Sequence, residues 1–325
     1  VVGCAWLGTA AGVRLSGVPS APVVSEVARL GPWACTSRYA ECALYSVCGA
    51  WDRGLRSWPA RCVGGSEALV APIAPTLVAW APTLGFMNID PEIRAACESA
   101  VKALANAGVE VIEIDTVFTT PPGEVIGALV SSYTRRNIEP FRDTPLWDQL
   151  DPLVVISAEM ARATISGLDL VAAEDGCHRL NWELCDVLDQ APILLCPTTS
   201  GITPNAYMPT TVDDLIMLLA GSGVYDMADI DPSVDLNAIL DWLRTKGEIN
   251  LPMGTVAGEP VLDWTGMTQA FNLTRSPAGT VNAGFTRGGL PVGLQVVGRQ
   301  HADVEVLQTI AFIEDLLAID RLAVL

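Results

Sequence analysis

Lysine is almost missing from this chain: Lys102 and Lys246 are the only two in 325 residues. Histidine is equally scarce, with His178 and His301 alone. Charged residues make up 17% of the chain, and the formal net charge is -18. A chain this acidic has no basic stripe for a phosphate backbone, which excludes nucleic acid as a partner. The same charge disfavours anionic membrane surfaces. No run of about twenty apolar residues occurs, the length a spanning helix needs, so no membrane association is expected. Val1 to Ala11 is small and apolar but has no basic leader. No signal peptide is read there, and the expected location is cytoplasmic.

The cysteines also exclude more than they offer. There are nine, an odd number, and no two form a CxxC pair. A secreted disulfide framework does not fit a chain of this size and apolarity. With two histidines, no metal site is expected, and the cysteines read as free thiols. No cofactor is implied. The run Asp226-Met227-Ala228-Asp229-Ile230-Asp231 lacks the loop glycine and terminal glutamate of a calcium loop, and reads as a solvated turn. No GxSxG elbow accompanies either histidine. Gly64-Gly65-Ser66 and Gly221-Ser222-Gly223 read as loop and helix-end turns rather than nucleophile loops. Cys177 and His178 are adjacent on a helical stretch, where neighbouring side chains diverge.

What is present is an apolar α/β pattern. Half of the residues are hydrophobic, enough for a large core. Thr76 to Trp80 reads as a strand. Asp90 before Pro91 caps a helix through Asn106, which Gly108 ends. Val109 to Ile114 is the next strand, and this strand–helix–strand unit implies parallel pairing. Glu98 four residues before Lys102 suits an ion pair on that helix. Ala40 to Cys48 has helical spacing with Ala43, Leu44 and Val47 inward. Helices follow over residues 123–137, 153–166 and 168–189, then a short buried strand at Ile193 to Cys196. Residues 200–262 read as a helical excursion from the core, with helices at 212–220 and 234–244.

The most informative stretch is Trp264 to Arg299, WTGMTQAFNLTRSPAGTVNAGFTRGGLPVGLQVVGR. Two apolar strands joined through Thr286-Arg287-Gly288-Gly289 read as a hairpin. The second strand is apolar on both faces except at Gln295, so it belongs inside a covered sheet. Beyond Gly298 a helical stripe follows: Val304, Leu307, Ile310, Ala311, Phe312 and Leu316.

This stretch resembles the hallmark of the amidase signature family, where a run like FNLTGxPAxSVPAGFTxxGLPVGLQxVGR precedes a last helix. Three further segments match in order. Gly31 to Thr36 resembles the family's GPMART segment. Trp80 to Asp115 resembles its WSPDLGF…DPEVRAAVEAAARALEALGAEVEEVD segment. Leu194 to Thr199 resembles its DLLLTPTT strand. The resemblance implies an α/β fold: a mixed, mostly parallel sheet with helices on both faces and its N-terminal part missing. The whole of residues 1–325 would be one partial amidase domain.

The family hydrolyses carboxylic amides with a Ser–cis-Ser–Lys triad and a loop of backbone N–H groups that holds the oxyanion. Its nucleophile lies just upstream of the position matching Val1. The chain is therefore expected to begin after the catalytic segment, with no catalytic residue of its own, and to be inactive alone. Neither Lys102, mid-helix, nor Lys246, beside Gly247 at a helix end, stands in a triad-like context. The resemblance assigns Trp264, Thr265, Met267, Thr268 and Phe271 to the acyl side of a substrate pocket, with Asn272 ordering the loop. Trp264 and Phe271 read equally well as core. The sequence departs from the pattern at Trp33, Cys35, Tyr39 and Asn282. The implied partner is a small-molecule amide. An exposed sheet edge would allow a homo-oligomer or aggregation. The alternative is a non-catalytic binding or assembly protein, or a degenerate fragment, that keeps the fold.

Overall fold

The computed structural model describes residues 5–8, 32–34, 36–47, 69–120, 122–203, 209–210, 241–242, 244–245, 249–250, 254–261 and 265–319. The strands are β1 (Ala5–Gly8), β2 (Trp33–Ala34), β3 (Leu77–Trp80), β4 (Glu110–Glu113), β5 (Ile193–Pro197), β6 (Pro209–Thr210), β7 (Ile249–Asn250), β8 (Gly254–Val256), β9 (Glu259–Val261), β10 (Ala278–Phe285) and β11 (Pro291–Gly298). The helices are α1 (Ser37–Val47), α2 (Pro91–Asn106), α3 (Pro122–Ile138), α4 (Pro152–Thr164), α5 (Gly167–Leu188), α6 (Gln269–Leu273) and α7 (Asp303–Leu317).

Seven strands form one mixed sheet in the order β2-β1-β10-β11-β5-β3-β4. The alternation of side chains along each strand divides the core into two layers. Val78, Trp80, Ile193, Leu195, Leu294 and Val296 face one side, under α2 and α7. Ala79, Ala81, Leu194, Cys196 and Val297 face the other, under α3, α5 and α6. Helices thus cover both faces, as expected. The pairing differs from expectation. Among the described residues only β3–β4 and β3–β5 pair in parallel, while β11–β5, β10–β11, β1–β10 and β1–β2 are antiparallel. The reason is local. The β10–β11 hairpin turns the chain back without a crossover, so that pair is antiparallel, and β1 and β5 then flank it antiparallel on either side.

The strand–helix–strand unit matches its reading closely. Asp90 accepts the Glu92 N–H at 2.9 Å through one carboxylate oxygen and the Ala257 N–H at 2.9 Å through the other. Its own N–H reaches the Ser200 carbonyl at 2.7 Å. One buried aspartate thus fixes the start of α2 and pins the loop after β5 and the β8–β9 ribbon to it. Gly108 takes a left-handed φ of 94° past the helix end, a conformation that only glycine adopts freely.

Three details correct the sequence reading. Glu98 pairs with Arg94 at 2.7 Å rather than with Lys102. On α1, Ala43 is exposed and Ser37, Ala40, Glu41 and Leu44 are buried, while the side chain of Val47 lies outside the described ones. On α7 the fully buried residues are Val306, Leu307, Thr309, Ile310, Ala311 and Ile313, so the stripe is rotated away from Val304 and Phe312, which are half-buried.

Within residues 200–262, β6 lies antiparallel to β7, with Pro209 opposite Asn250. The helix expected at 212–220 and the acidic run at 226–231 lie outside the described residues. Of the helix expected at 234–244, Asp241, Trp242 and Arg244 are described, and the Trp242 indole donates to Asp148 at 2.9 Å. At the sheet's outer edge, β4 carries Glu110 and Glu113 at its two ends. Charges on an edge strand oppose pairing with another chain. No helix among the described residues is long and apolar enough to cross a membrane.

Candidate functional site

The hallmark stretch folds as a hairpin at the sheet centre, with a short helical segment laid across one face. β10 and β11 pair from Ala278 opposite Val297 to Phe285 opposite Pro291, with a bulge between Asn282 and Gly284. The turn closes by the Thr286 N–H to the Leu290 carbonyl at 2.8 Å. β11 is buried from Leu294 to Gly298. This agrees with the reading that an all-apolar strand belongs between neighbours.

Gln295 is the one polar side chain in that strand, and it is fully buried. Its Nε2 donates to the Met267 carbonyl at 3.2 Å and contacts the Cys196 Sγ at 3.3 Å. Its Oε1 is buried with no hydrogen-bond partner. The strand thus reaches out of its layer and holds the 3₁₀ turn Gly266–Thr268, which runs directly into α6. Cys196 is wholly buried, and burial pushes its thiol up to about 12.

Beside Gln295 the hairpin approaches β5 closely. The Thr198 N–H donates to the Gly293 carbonyl at 2.9 Å, and the Thr198 and Thr280 hydroxyls meet at 3.1 Å. A Cβ on Gly293 would lie 2.6 Å from both Thr198 Oγ1 and Thr280 Cγ2. Glycine is required there by the approach of these two side chains.

The six residues assigned to a pocket fall as follows. Met267 and Phe271 are buried in the lower layer, at 0% and 2% exposure. The Phe271 ring lies 6.2 Å from that of Phe118, which in turn lies 6.3 Å from Phe86. Thr268 and Asn272 are half-buried, and Thr265 is exposed. Trp264 lies outside the described residues. The segment thus turns its apolar residues into the core and leaves Thr265, Thr268 and Asn272 at least partly accessible, with the Thr268 hydroxyl donating to the Thr265 carbonyl at 3.0 Å. The Asn272 carbonyl accepts the Arg275 N–H at 3.3 Å, where Arg275 takes a φ of 60°. Gln300 steadies the far end, donating to the Thr274 carbonyl at 2.7 Å.

Gln295, Gly293, Thr198 and Thr280 are not in that set, and the sequence signals only the first, as the polar interruption of an apolar strand. Lys102 is exposed on α2. Lys246 lies outside the described residues. Among the described residues no group of three or more His, Cys, Asp or Glu could hold a metal ion.

Comparison with known proteins gives a consistent picture. Residues 255–307 match the Amidase family model. The chain is 28% identical over 243 residues to an acylamidase of Rhodococcus erythropolis, a match covering 73% of this chain and 41% of that protein. A bacterial aryl acylamidase belonging to the amidase signature enzymes superposes with a TM-score of 0.70 at 18% identity, covering 96% of this chain and 58% of that one. The 6-aminohexanoate cyclic dimer hydrolase, solved with substrate, superposes with a TM-score of 0.71 at 19% identity, covering 97% and 61%. The chain thus spans well under half of the curated relative and about three-fifths of the solved structures.

Proposed function

We propose, for a chain that belongs to the amidase signature family, that it supplies the substrate-holding part of a hydrolase that cleaves a small carboxylic amide to acid and amine or ammonia. The observation that carries the reading is the Gln295–Met267 contact, which fixes the hallmark segment 265–273 on the central strand. Thr265, Thr268 and Asn272 present polar groups on the outward side of that segment, and Met267 and Phe271 give it an apolar base. We assign the acyl wall of the proposed pocket to these five residues; Trp264, assigned with them by resemblance, lies outside the described residues. Such a wall orients the substrate; it does not attack it.

The chemical step needs a nucleophile, a relay and an oxyanion cradle. None of these is assigned to a residue of this chain, and we propose that the 325 residues do not turn over amides alone. Product release from a panel of aliphatic and aryl amides tests this, comparing the chain with one joined to a relative's catalytic segment. Self-association through a sheet edge is also a proposal. The β4 edge opposes it, since Glu110 and Glu113 would meet the same charges on a second copy.

A further inference from the structure

A cleft of about 690 Å³ opens where the C-terminal end of α3 meets the end of α4 and the start of α5. It is separate from the hallmark segment. A Cβ on Gly123, at the start of α3, would lie 4.0 Å from Gln269 Oε1 at the hallmark segment. Twelve residues at about 1.5 Å each put Arg135 roughly 18 Å further along the axis. The cleft is far larger than an inorganic ion and within the roughly 300–1,000 Å³ of small-molecule sites.

Its walls have two characters. Ala161, Ile165 and Leu170 are apolar, while Arg135 and Arg136 bring two guanidiniums from the last turn of α3. Basic residues at a helix end suit its dipole. That accounts for their place on α3, but not for the absence, among the described residues, of an acid paired directly with either in a chain of net charge -18. The nearby acids are hydrogen-bonded elsewhere, although, after the Arg142 hydrogen bond, the Arg135 charge also helps hold Glu139 ionised. Glu139 lines the cleft, but its two oxygens accept from Arg142 at 2.9 and 3.1 Å. The second acid, Glu159, is buried and is held by Arg142 and by Arg162, the latter at 3.6 Å. Arg142 also lies over the Trp147 ring at 4.6 Å, which locks it in place. Asp169 turns back onto the Ser166 N–H at 2.7 Å. Among the described residues, Arg135 and Arg136 make no hydrogen bond or ion pair.

We infer that this cleft binds a small organic carboxylate, with its head on Arg135 and Arg136 and its aliphatic or aryl body on Ala161, Ile165 and Leu170. A guanidinium matches a carboxylate in geometry as well as in charge. An apolar surface beside it selects an organic acid over a bare ion. The inference stands independently of amide hydrolysis.

The test is calorimetric titration of the 325-residue chain with octanoate, and with octanol and octylamine as tails carrying a neutral and a cationic head. Octanoate is expected to bind saturably and at least about tenfold more tightly than either. Raising the salt from low to molar concentration should weaken octanoate several-fold and leave octanol unchanged. The double variant Arg135→Gln, Arg136→Gln removes both charges while keeping helix propensity, and should lose about tenfold or more of octanoate affinity. Arg94→Ala, on the far face of the sheet, should lose none. Absence of saturable octanoate binding overturns the inference. So does equal binding of octylamine, or undiminished binding by the double variant with an unchanged circular dichroism spectrum.

Discussion

Ser37 and Glu314 meet across 277 residues of chain. The two Glu314 carboxylate oxygens accept the Ser37 N–H at 3.0 and 3.1 Å, and one also accepts the Ser37 hydroxyl at 2.6 Å. Ser37 is the first residue of α1, where helical N–H groups have no partner within the helix. The local cap is also present, the Thr36 hydroxyl accepting the Tyr39 N–H at 3.1 Å, and the side chain from α7 satisfies a further N–H of the same turn. Arg38 beside Asp315, at 3.4 Å, extends the same contact at the surface. The last helix thereby ties the edge of the sheet to the layer that covers it.

Removing this cap should show in stability. Glu314→Ala is expected to destabilise by about 1–2 kcal/mol, the usual range for a lost helix cap or charged hydrogen bond. In a double-mutant cycle with Ser37→Ala, the second substitution should cost clearly less than it does alone. Urea unfolding of the four proteins checks this.

Gly293→Ala is expected to destabilise by about 1–3 kcal/mol, since its new methyl meets two side chains at 2.6 Å. Thr280→Ser removes one of them, the Cγ2 methyl. The double variant Gly293→Ala, Thr280→Ser should therefore be more stable than Gly293→Ala alone. Midpoints of denaturant unfolding decide it.

Gln295 admits a sharper comparison. Gln295→Met removes the donor to the Met267 carbonyl, but also removes the unpartnered Oε1, so a modest loss of about 1 kcal/mol is expected. Gln295→Glu keeps the shape, loses the donor and sets a carboxylate in a fully buried place. It should cost several times more and should raise that carboxyl's pKa. Thermal unfolding of both variants between pH 5 and 8 gives the order, with the Glu variant recovering toward low pH.

The buried thiols predict a pH limit. Burial raises Cys196 from about 9 to about 12, and raises Cys97 as well, with Cys196 and Glu98 adding to the shift of Cys97. In the unfolded chain both ionise first. Their contribution is therefore complete below about pH 9 and falls as pH rises from there towards 12, since the folded state holds more protons in that window. Neither thiol should react with Ellman's reagent at pH 8 until denaturant is added, whereas exposed Cys42 should react in the folded protein.

Much of the core was legible because its signals are local. Asp90-Pro91 announces a helix start with a side-chain cap and a fitting φ, and Leu294 to Val297 announces a strand covered on both faces. Glu98 was read toward Lys102, although Arg94 stands at the same spacing on its other side; spacing alone does not rank two cations. Ala43 was read inward because it is apolar, yet the helix turns Glu41 in and leaves Ala43 out. The largely parallel sheet was inferred from one strand–helix–strand unit, which describes β5, β3 and β4 but not the hairpin side. The joints of the site were least visible. Gln295 to Met267 and Ser37 to Glu314 are contacts between distant segments, and no local pattern encodes which carbonyl or N–H will arrive opposite a side chain.

The most direct test of the account is hydrolysis of small aliphatic and aryl p-nitroanilides by two proteins: the 325-residue chain, and the same chain joined to the N-terminal segment of the Rhodococcus erythropolis acylamidase. The account predicts no turnover by the first, and release of p-nitroaniline by the second that a serine-directed reagent abolishes. Turnover by the unextended chain, indifferent to that reagent, would contradict it.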